Sequence, residues 1–580
     1  MHLRWLCPSG FLTTLLLLWP SPAAPQATPD QAVIQTGTHI VLVNVVAKDK
    51  HGKPVKDLSR DDFVLRDNGH EQRIGLFALE NAEAGAPATS VSAAPAPLTF
   101  SNRPGPSLAG VTVFLFDELN TQLGDQELAK KDFLHYLQGL PADSRVAVFV
   151  LGDSLSLLHD FTQDMASLLV ALSKHTNRVN AEVSASTAPP ASANSLTGDQ
   201  SSTTQWDDFM KSSNQPYVDF TQTMRATRTA VALETIAGHL QGIPGRKTLI
   251  WISGGFPIQL GLRNKVDSVP DSSANTRRSG GGADRDSRDE KSASNKPSNS
   301  TTSNASPDAS TSTLRTELPG TGTSFESDVA LAIRALNEAD VAVYPVDARG
   351  VTVATPYHAD QSSIGKRGKR PRGLAGPDFN FETLEDLADQ TGGRAFHNIN
   401  DLSAAIQEAA SDGRVSYSLT FSPPATSLDG LYHRLEVTVK RPDVKLRYRP
   451  GYVAARDAAV APSLRDAIAN PVAVTGVGFT VHLDPVEGGY KMSVTIDPHN
   501  ITLEPKDGEW TGSLQFVVVV GKAEQLTTVP LDFTEAVFHQ IQGQGLHFAA
   551  RVKTPLGTAG FSVGFRDVPS GLVGTLHVPL

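Results

Sequence analysis

The chain has 580 residues, more than one hydrophobic core organises, so about three or four domains are expected. A formal charge of −10 and a pI of about 5.9 argue against nucleic acid as the main partner. The one cysteine, Cys7, lies near the start; beyond it, structural disulfides, thiolate zinc sites and cysteine nucleophiles are excluded.

Residues 1–23 read as an export signal. Arg4 gives the positive start, Phe11–Trp19 the apolar stretch and Ser21-Pro22-Ala23 a small-x-small cleavage site. The mature chain is expected to begin near Ala24, to carry no transmembrane segment, and to reach the periplasm, the cell surface or the exterior. Residues 38–80 read as a small β-sandwich-like unit, with strands at Ile40–Val46 and from Phe63 and a turn at Asp67-Asn68-Gly69. A Pro/Ala/Ser-rich linker follows at 83–106.

From 108 to 421, strands and helices alternate. That implies an α/β fold: a doubly wound, mostly parallel sheet with helices on both faces, flanked by the N-terminal β-unit and a C-terminal β-sandwich. The continuous apolar runs Val111–Asp117, Arg145–Leu151, Lys247–Ser253 and Val341–Val346 read as strands buried on both faces. A helix capped by Asp125 turns Ala129, Phe133, Tyr136, Leu137 and Leu140 inward. Another, at about 222–242, aligns Ala230, Leu233, Ala237 and Leu240; further helices are expected at 325–339, 380–390 and 401–411. The insertions 180–205 and 267–323 carry too few apolar side chains to offset ordering entropy, so mobility is expected there. Lys366–Arg372 is a basic loop, either simply solvated or able to meet an acidic polymer or lipid headgroup. Residues 422–455 read as a β-strand extension and 474–580 as the C-terminal β-sandwich.

Val111–Asp117 ends abruptly in a carboxylate followed by Glu118-Leu119-Asn120-Thr121. Ligands of open α/β sheets bind outside the carboxyl ends of the strands, which makes Asp117 the first candidate functional residue. Other short segments fall in a telling order: Leu58–Phe63 with Asp67-Asn68-Gly69; Phe161-Thr162; Pro244-Gly245-Arg246-Lys247 with Ile252–Gly255; Tyr344–Gly350; Thr391–Arg394; and Arg449-Pro450-Gly451-Tyr452. Together they resemble an exported, acidobacterial-type bacterial family related to the von Willebrand factor type A (VWA) superfamily, over residues 58–452. The resemblance implies export and domain architecture but lends no common activity.

In VWA domains an Asp-x-Ser-x-Ser loop and two further loops hold a metal, usually Mg²⁺, that the partner completes with a carboxylate. Here the resemblance points to Asp117 and Thr121 from the first loop and Thr227 from the second, with Thr162 a competitor. Leu119 replaces one hydroxyl, and Ser253-Gly254-Gly255 lacks the third-loop aspartate, for which Asp347 is a possible substitute. Two readings stand. Either Mg²⁺ or another divalent cation binds weakly, or Asp117 and Asn120 cap the following helix and bond loop amides. The expected partner-binding face is Asp117, Asn120, Thr121, Ser253 and Asp347. Function reads as an exported protein-interaction protein, adhesion or scaffold, with no enzymatic activity and a protein as partner. The alternative is an extracytoplasmic hydrolase; the 16 histidines are scattered, and His-Glu-x-x-His and Gly-x-Ser-x-Gly are missing.

Overall fold

The computed structural model describes residues 40–81, 98–103, 111–257, 325–350, 381–454 and 463–580, apart from 141–143, 163, 178–199, 400, 425, 426, 428, 471, 507 and 556. The export signal, the segment 267–323, residues 180–199 and the basic loop 366–372 lie outside the described residues.

The continuous apolar runs form the middle of one sheet. Its elements in chain order are β1 (Thr112–Asp117), α1 (Leu123–Gln138), β2 (Val146–Leu151), β3 (Leu155–Thr162), α2 (Met165–Lys174), α3 (Gln200–Leu240), β4 (Lys247–Ser253), α4 (Phe325–Glu338), β5 (Val341–Asp347), α5 (Phe381–Gln390) and α6 (Leu402–Asp412). The strand order is β5-β4-β1-β2-β3. The first four strands of that order are parallel and β3 is antiparallel, so the sheet is mixed.

Every residue of β2, β4 and β5 is buried because helices cover both faces. On one face α3, α4 and α5 bring Leu233, Ile236, Leu336 and Leu387 onto Leu115, Trp251 and Val343. On the other, α1, α2 and α6 bring Phe133, Leu172 and Ile406 onto Phe114, Ile250 and Tyr344. Strand β3 is a half-buried edge whose polar residues broke any apolar run, and neither it nor α2 was anticipated. Two helix starts differ from expectation. Asp125 sits in the first turn of α1 while Gln122 is the N-cap without a side-chain bond. Helix α3 begins at Gln200, so 200–205 belong to it and not to an insertion.

The segments 38–80 and 422–455, read separately, pair as one sandwich. One sheet has the order Lys445–Arg447, Val41–Lys48, Val415–Phe421, Phe77–Asn81; the other has Gly451–Val453, Tyr432–Val439, Phe63–Asp67, His70–Gln72. The linker is likewise not all linker: Thr99–Ser101 pairs with Phe479–Val486 in the C-terminal β-region, whose two sheets enclose Phe479, Met492, Phe516, Phe548 and Phe565. Antiparallel pairing between distant segments leaves no local mark in sequence, which is why these joins went unread.

The motifs that carry the family resemblance weld the N-terminal sandwich to the amino end of the α/β sheet. Arg246 donates to Gly392 O at 2.7 Å, and Arg449 donates to Leu42 O at 2.6 Å and to Asn337 O at 3.0 Å. Lys247 donates to Ala339 O at 2.7 Å, and burial pulls its pKa down to about 8. Gly392 has a positive φ of 73°, and a Cβ there would sit 2.7 Å from Arg449 N, so only glycine fits. The C-terminal region is stitched on through the end of α3, where His239 donates to Ala473 O at 2.7 Å and Gly242 N to Thr475 Oγ1 at 2.9 Å.

Candidate functional site

Strand order reverses between β1 and β4, and a parallel sheet opens its ligand crevice at such a switch point, beyond the strand carboxyl ends. Asp117 ends β1 and Ser253 ends β4, side by side at that point. The crevice is filled by the protein's own hydrogen bonds.

One Asp117 oxygen accepts from Asn120 N at 3.0 Å and Asn120 Nδ2 at 3.1 Å. The other accepts from Ser253 Oγ at 2.8 Å, Asn120 Nδ2 at 2.9 Å and Trp251 Nε1 at 3.1 Å. Burial pushes the carboxyl above its ordinary range, while the bonds from Asn120, Ser253 and Trp251 pull it down. Both oxygens face donors, so the geometry holds the carboxylate form. Asn120 passes the interaction on: its amide donates to Thr229 Oγ1 at 3.0 Å, and its Oδ1 accepts from Arg225 Nε at 3.1 Å and Nη2 at 2.9 Å. Arg225 is 1 % exposed, so a guanidinium charge lies buried one side chain away from Asp117.

This donor set does not fit a divalent cation. A metal needs bare oxygen lone pairs, and here an indole N–H, a hydroxyl and an amide already take those of Asp117. Thr121 Oγ1 accepts from Gly254 N at 2.9 Å, drawing the first and third loops together. The loops are so close that a Cβ on Gly254 would lie 2.8 Å from Asn120 O; a third-loop aspartate is therefore excluded by space as well as absent from the sequence.

The other expected ligands lie elsewhere. Thr227 is in the middle of α3, and its hydroxyl donates to Asp328 on α4 at 3.3 Å. Thr229 takes the place expected of it, since two residues along a helix point to opposite sides. Thr162 ends the antiparallel β3 opposite Val146, at the amino edge of the sheet and away from Asp117. Asp347 at the end of β5 is clamped by Arg349, whose Nε and Nη2 both donate at 2.9 Å. Sequence reading missed Trp251, Arg225 and Thr229. The available signal was the four-residue spacing of Arg225 and Thr229 beside Ala226, Ala230 and Leu233 on the inward face of α3.

The residues of the expected partner-binding face lie below the surface. Asp117, Asn120, Thr121, Ser253 and Asp347 are all buried beneath the carboxyl edge. What opens to solvent at this edge is a cleft of about 450 Å³ lined by Asp347, Arg349, Phe381, Glu382, Glu385, His397 and Asn398. Within it His397 pairs with Glu385 at 2.9 Å and meets the Phe381 ring edge-on at 5.4 Å. Asp125 belongs to the same field: burial, then the Asp347 charge, raises its carboxyl pKa, and Arg349 lowers it. Beside Asp117, Glu118 pairs with His175 at 2.6 Å over a cavity of about 20 Å³, room for a single water.

No family model matches the chain, and no curated protein matches it. Solved structures that it resembles include an aerotolerance-related membrane protein from Bacteroides fragilis carrying multiple mutations to serine (11% identity, 52% of this chain and 98% of that one, TM-score 0.22). Others are the conserved hypothetical protein BatB from Bacteroides thetaiotaomicron (12%, 52% and 96%, 0.23) and a von Willebrand factor type A protein from Catenulispora acidiphila (10%, 89% and 71%, 0.24). At such scores these likenesses carry no argument about fold or function. Among the described residues no helix is long and apolar enough to cross a membrane.

Proposed function

We propose that the chain is an exported, non-enzymatic protein-interaction protein, an adhesion or scaffold component of the cell envelope or exterior. Its α/β domain is VWA-related, with a degenerate metal site, and docks a protein partner at the sheet's carboxyl edge without a metal bridge. The observation that carries this reading is the Arg349 cleft. Arginine and aromatic side chains held rigid in a partly desolvated pocket are the groups that dominate protein–protein affinity. Arg349 is held by the buried Asp347, and Phe381 and His397 are locked against each other. The mixture of Glu382, Glu385, Arg349 and His397 suits a polar protein surface better than an apolar small molecule.

For the hydrolase alternative, His175, His239 and His433 are each spent on structural bonds, to Glu118, Ala473 O and Asp67, which leaves the His397–Glu385 pair of the cleft as the one to test.

The test is affinity capture from envelope extracts, with and without chelator, comparing the natural chain with Arg349→Ala and Phe381→Ala. One species lost in both variants and retained in chelator is expected. Capture that ignores both substitutions, or that needs a divalent metal, would overturn the reading; hydrolase activity copurifying with the natural chain and lost in the variants would favour the alternative.

A further inference from the structure

The Arg349 cleft carries a sign. Its lining sets three carboxylates, Asp347, Glu382 and Glu385, against one guanidinium, so with His397 neutral it has an excess of two negative charges. Asp347 and Arg349 satisfy each other: Nε and Nη2 of Arg349 both donate to a carboxylate that is 1 % exposed. Inward the excess is felt as well. After burial itself, the Asp347 charge raises the Asp125 carboxyl more than Arg349 lowers it. The carboxylates that face solvent are Glu382 and Glu385, three residues apart on α5 and therefore on one side of it.

Helix stability explains only half of that pair. Glu382 lies in the first turn of α5, where a carboxylate offsets the helix dipole; Glu385 lies a turn further on, where that benefit has faded. What orients Glu385 is His397, 2.9 Å away and itself held edge-on against Phe381. An ionised carboxylate offers about four lone-pair sites, so the imidazole contact does not exhaust Glu385. Phe381 forms the apolar part of the same wall. Two carboxylates beside an aromatic ring are the surroundings in which a guanidinium or ammonium group binds, through charge-assisted bonds and through the ring face. The chain makes that ring contact with its own residues next door, where Arg394 lies 4.2 Å over Phe396, the neighbour of His397.

We propose that the occupant of the cleft is a basic segment of the protein partner, an arginine or lysine whose head lies between Glu382 and Glu385 and whose stem crosses Phe381. The inference rests on the reading of the cleft as the docking site. An acidic group would meet two glutamates and an arginine already clamped, and like charges at close range oppose it. An apolar anchor would have to strip water from both glutamates without replacing their bonds.

The probes are blocked, labelled Gly/Ser peptides carrying arginines, glutamates or neither, titrated into the full chain at about 50 mM salt, where surface charges are weakly screened. Only the arginine peptide should bind. Glu382→Gln with Glu385→Gln should weaken it about tenfold at an unchanged unfolding temperature, and Glu382→Lys with Glu385→Lys should transfer binding to the glutamate peptide. No binding by the arginine peptide, binding that ignores both double variants, or a natural preference for the glutamate peptide would overturn the proposal. So would arginine-peptide binding that appears only after Lys366, Arg367, Lys369, Arg370 and Arg372 are replaced by alanine, because the occupant would then be this chain's own basic segment. In the envelope capture, a species lost in Arg349→Ala but kept in Glu382→Gln with Glu385→Gln would leave the docking site standing and sink its basic occupant. Capture indifferent to every one of these substitutions would sink the docking reading itself.

Discussion

Asn120 decides what Asp117 can hold. Its amide spans the Asp117 carboxylate and Thr229 while its oxygen faces Arg225, so one neutral side chain connects a buried negative charge to a buried positive one. Removing the acceptor should therefore cost more than removing a ligand: Asp117→Ala should lose about 3–5 kcal/mol in urea unfolding, because Asn120, Ser253 and Trp251 are each left with an unsatisfied buried donor at about 1–3 kcal/mol apiece. Asp117→Asn, which turns one donor-facing oxygen into a donor, should lose about 1–3 kcal/mol. Restoring the missing third-loop carboxylate should not create a metal site. Gly254→Asp should lower the unfolding temperature by pushing against the Asn120 carbonyl, and about 1 mM Mg²⁺ should shift neither that variant nor the natural chain, because mass action stabilises only what binds. A Mg²⁺-dependent rise in the natural chain would mean that the Asp117 network opens to admit the ion.

Two ionisable groups on neighbouring elements, Glu234 half-buried and Lys247 buried, give the sheet opposite responses to pH. Glu234 on α3 has its pKa raised from 4.5 to about 7, chiefly by burial and then by the Asp328 charge on α4. Below 4.5 it is protonated in both folded and unfolded chains. Between 4.5 and 7 only the unfolded chain releases the proton, so stability falls as pH rises. Glu234→Gln should flatten that decline in urea unfolding measured across the range. Lys247 on β4 has its pKa lowered from 10.5 to about 8, chiefly by burial. Below 8 it is charged in both states; between 8 and 10.5 the folded chain holds fewer protons, so stability rises with pH. Lys247→Met should abolish the rise, and a slope that survives it would assign the effect to another group.

The same scale separates what the sequence made legible from what it hid. β1, β2, β4 and β5 announced themselves because burial on both faces demands an unbroken apolar run, and Ala129, Phe133, Tyr136 and Leu137 because one buried helix face repeats every three or four residues. The half-buried β3 and the three-residue Thr99–Ser101 had neither signature. At the site, Asp117 was readable from its place at a strand end. Arg225 and Thr229 were not, because whether a polar residue on a mostly buried helix face has a partner depends on a loop more than a hundred positions away.

For the whole molecule the weld matters most. Arg246 and Arg449 donate their guanidinium hydrogens to backbone carbonyls of another segment, and glycines at 245 and 392 let the segments touch. The N-terminal sandwich and the α/β sheet should therefore melt as one unit. Gly392→Ala, which forces a Cβ onto the Arg449 backbone, should split the calorimetric transition of that unit in two. A single unshifted transition in this variant would show that the contact is dispensable.

The pairing of Val41–Lys48 with Val415–Phe421 also fixes an order of events. The first strand leaves the ribosome with its partner not yet made, and at ordinary elongation rates it waits on the order of 20–80 s. Through that interval its buried residues, Val43 and Val45 among them, are an open β-edge beside a nascent chain. The α/β sheet, built from closer neighbours, can close first and bring the two halves of the sandwich within reach, so the longest loop is closed by a folded domain in place of a random search. The strand Val41–Lys48 is thus expected among the last to find its place, and a chain truncated before Val415 should keep the central sheet but leave this strand without its Val415–Phe421 partner, so it should aggregate faster than the full chain in light scattering.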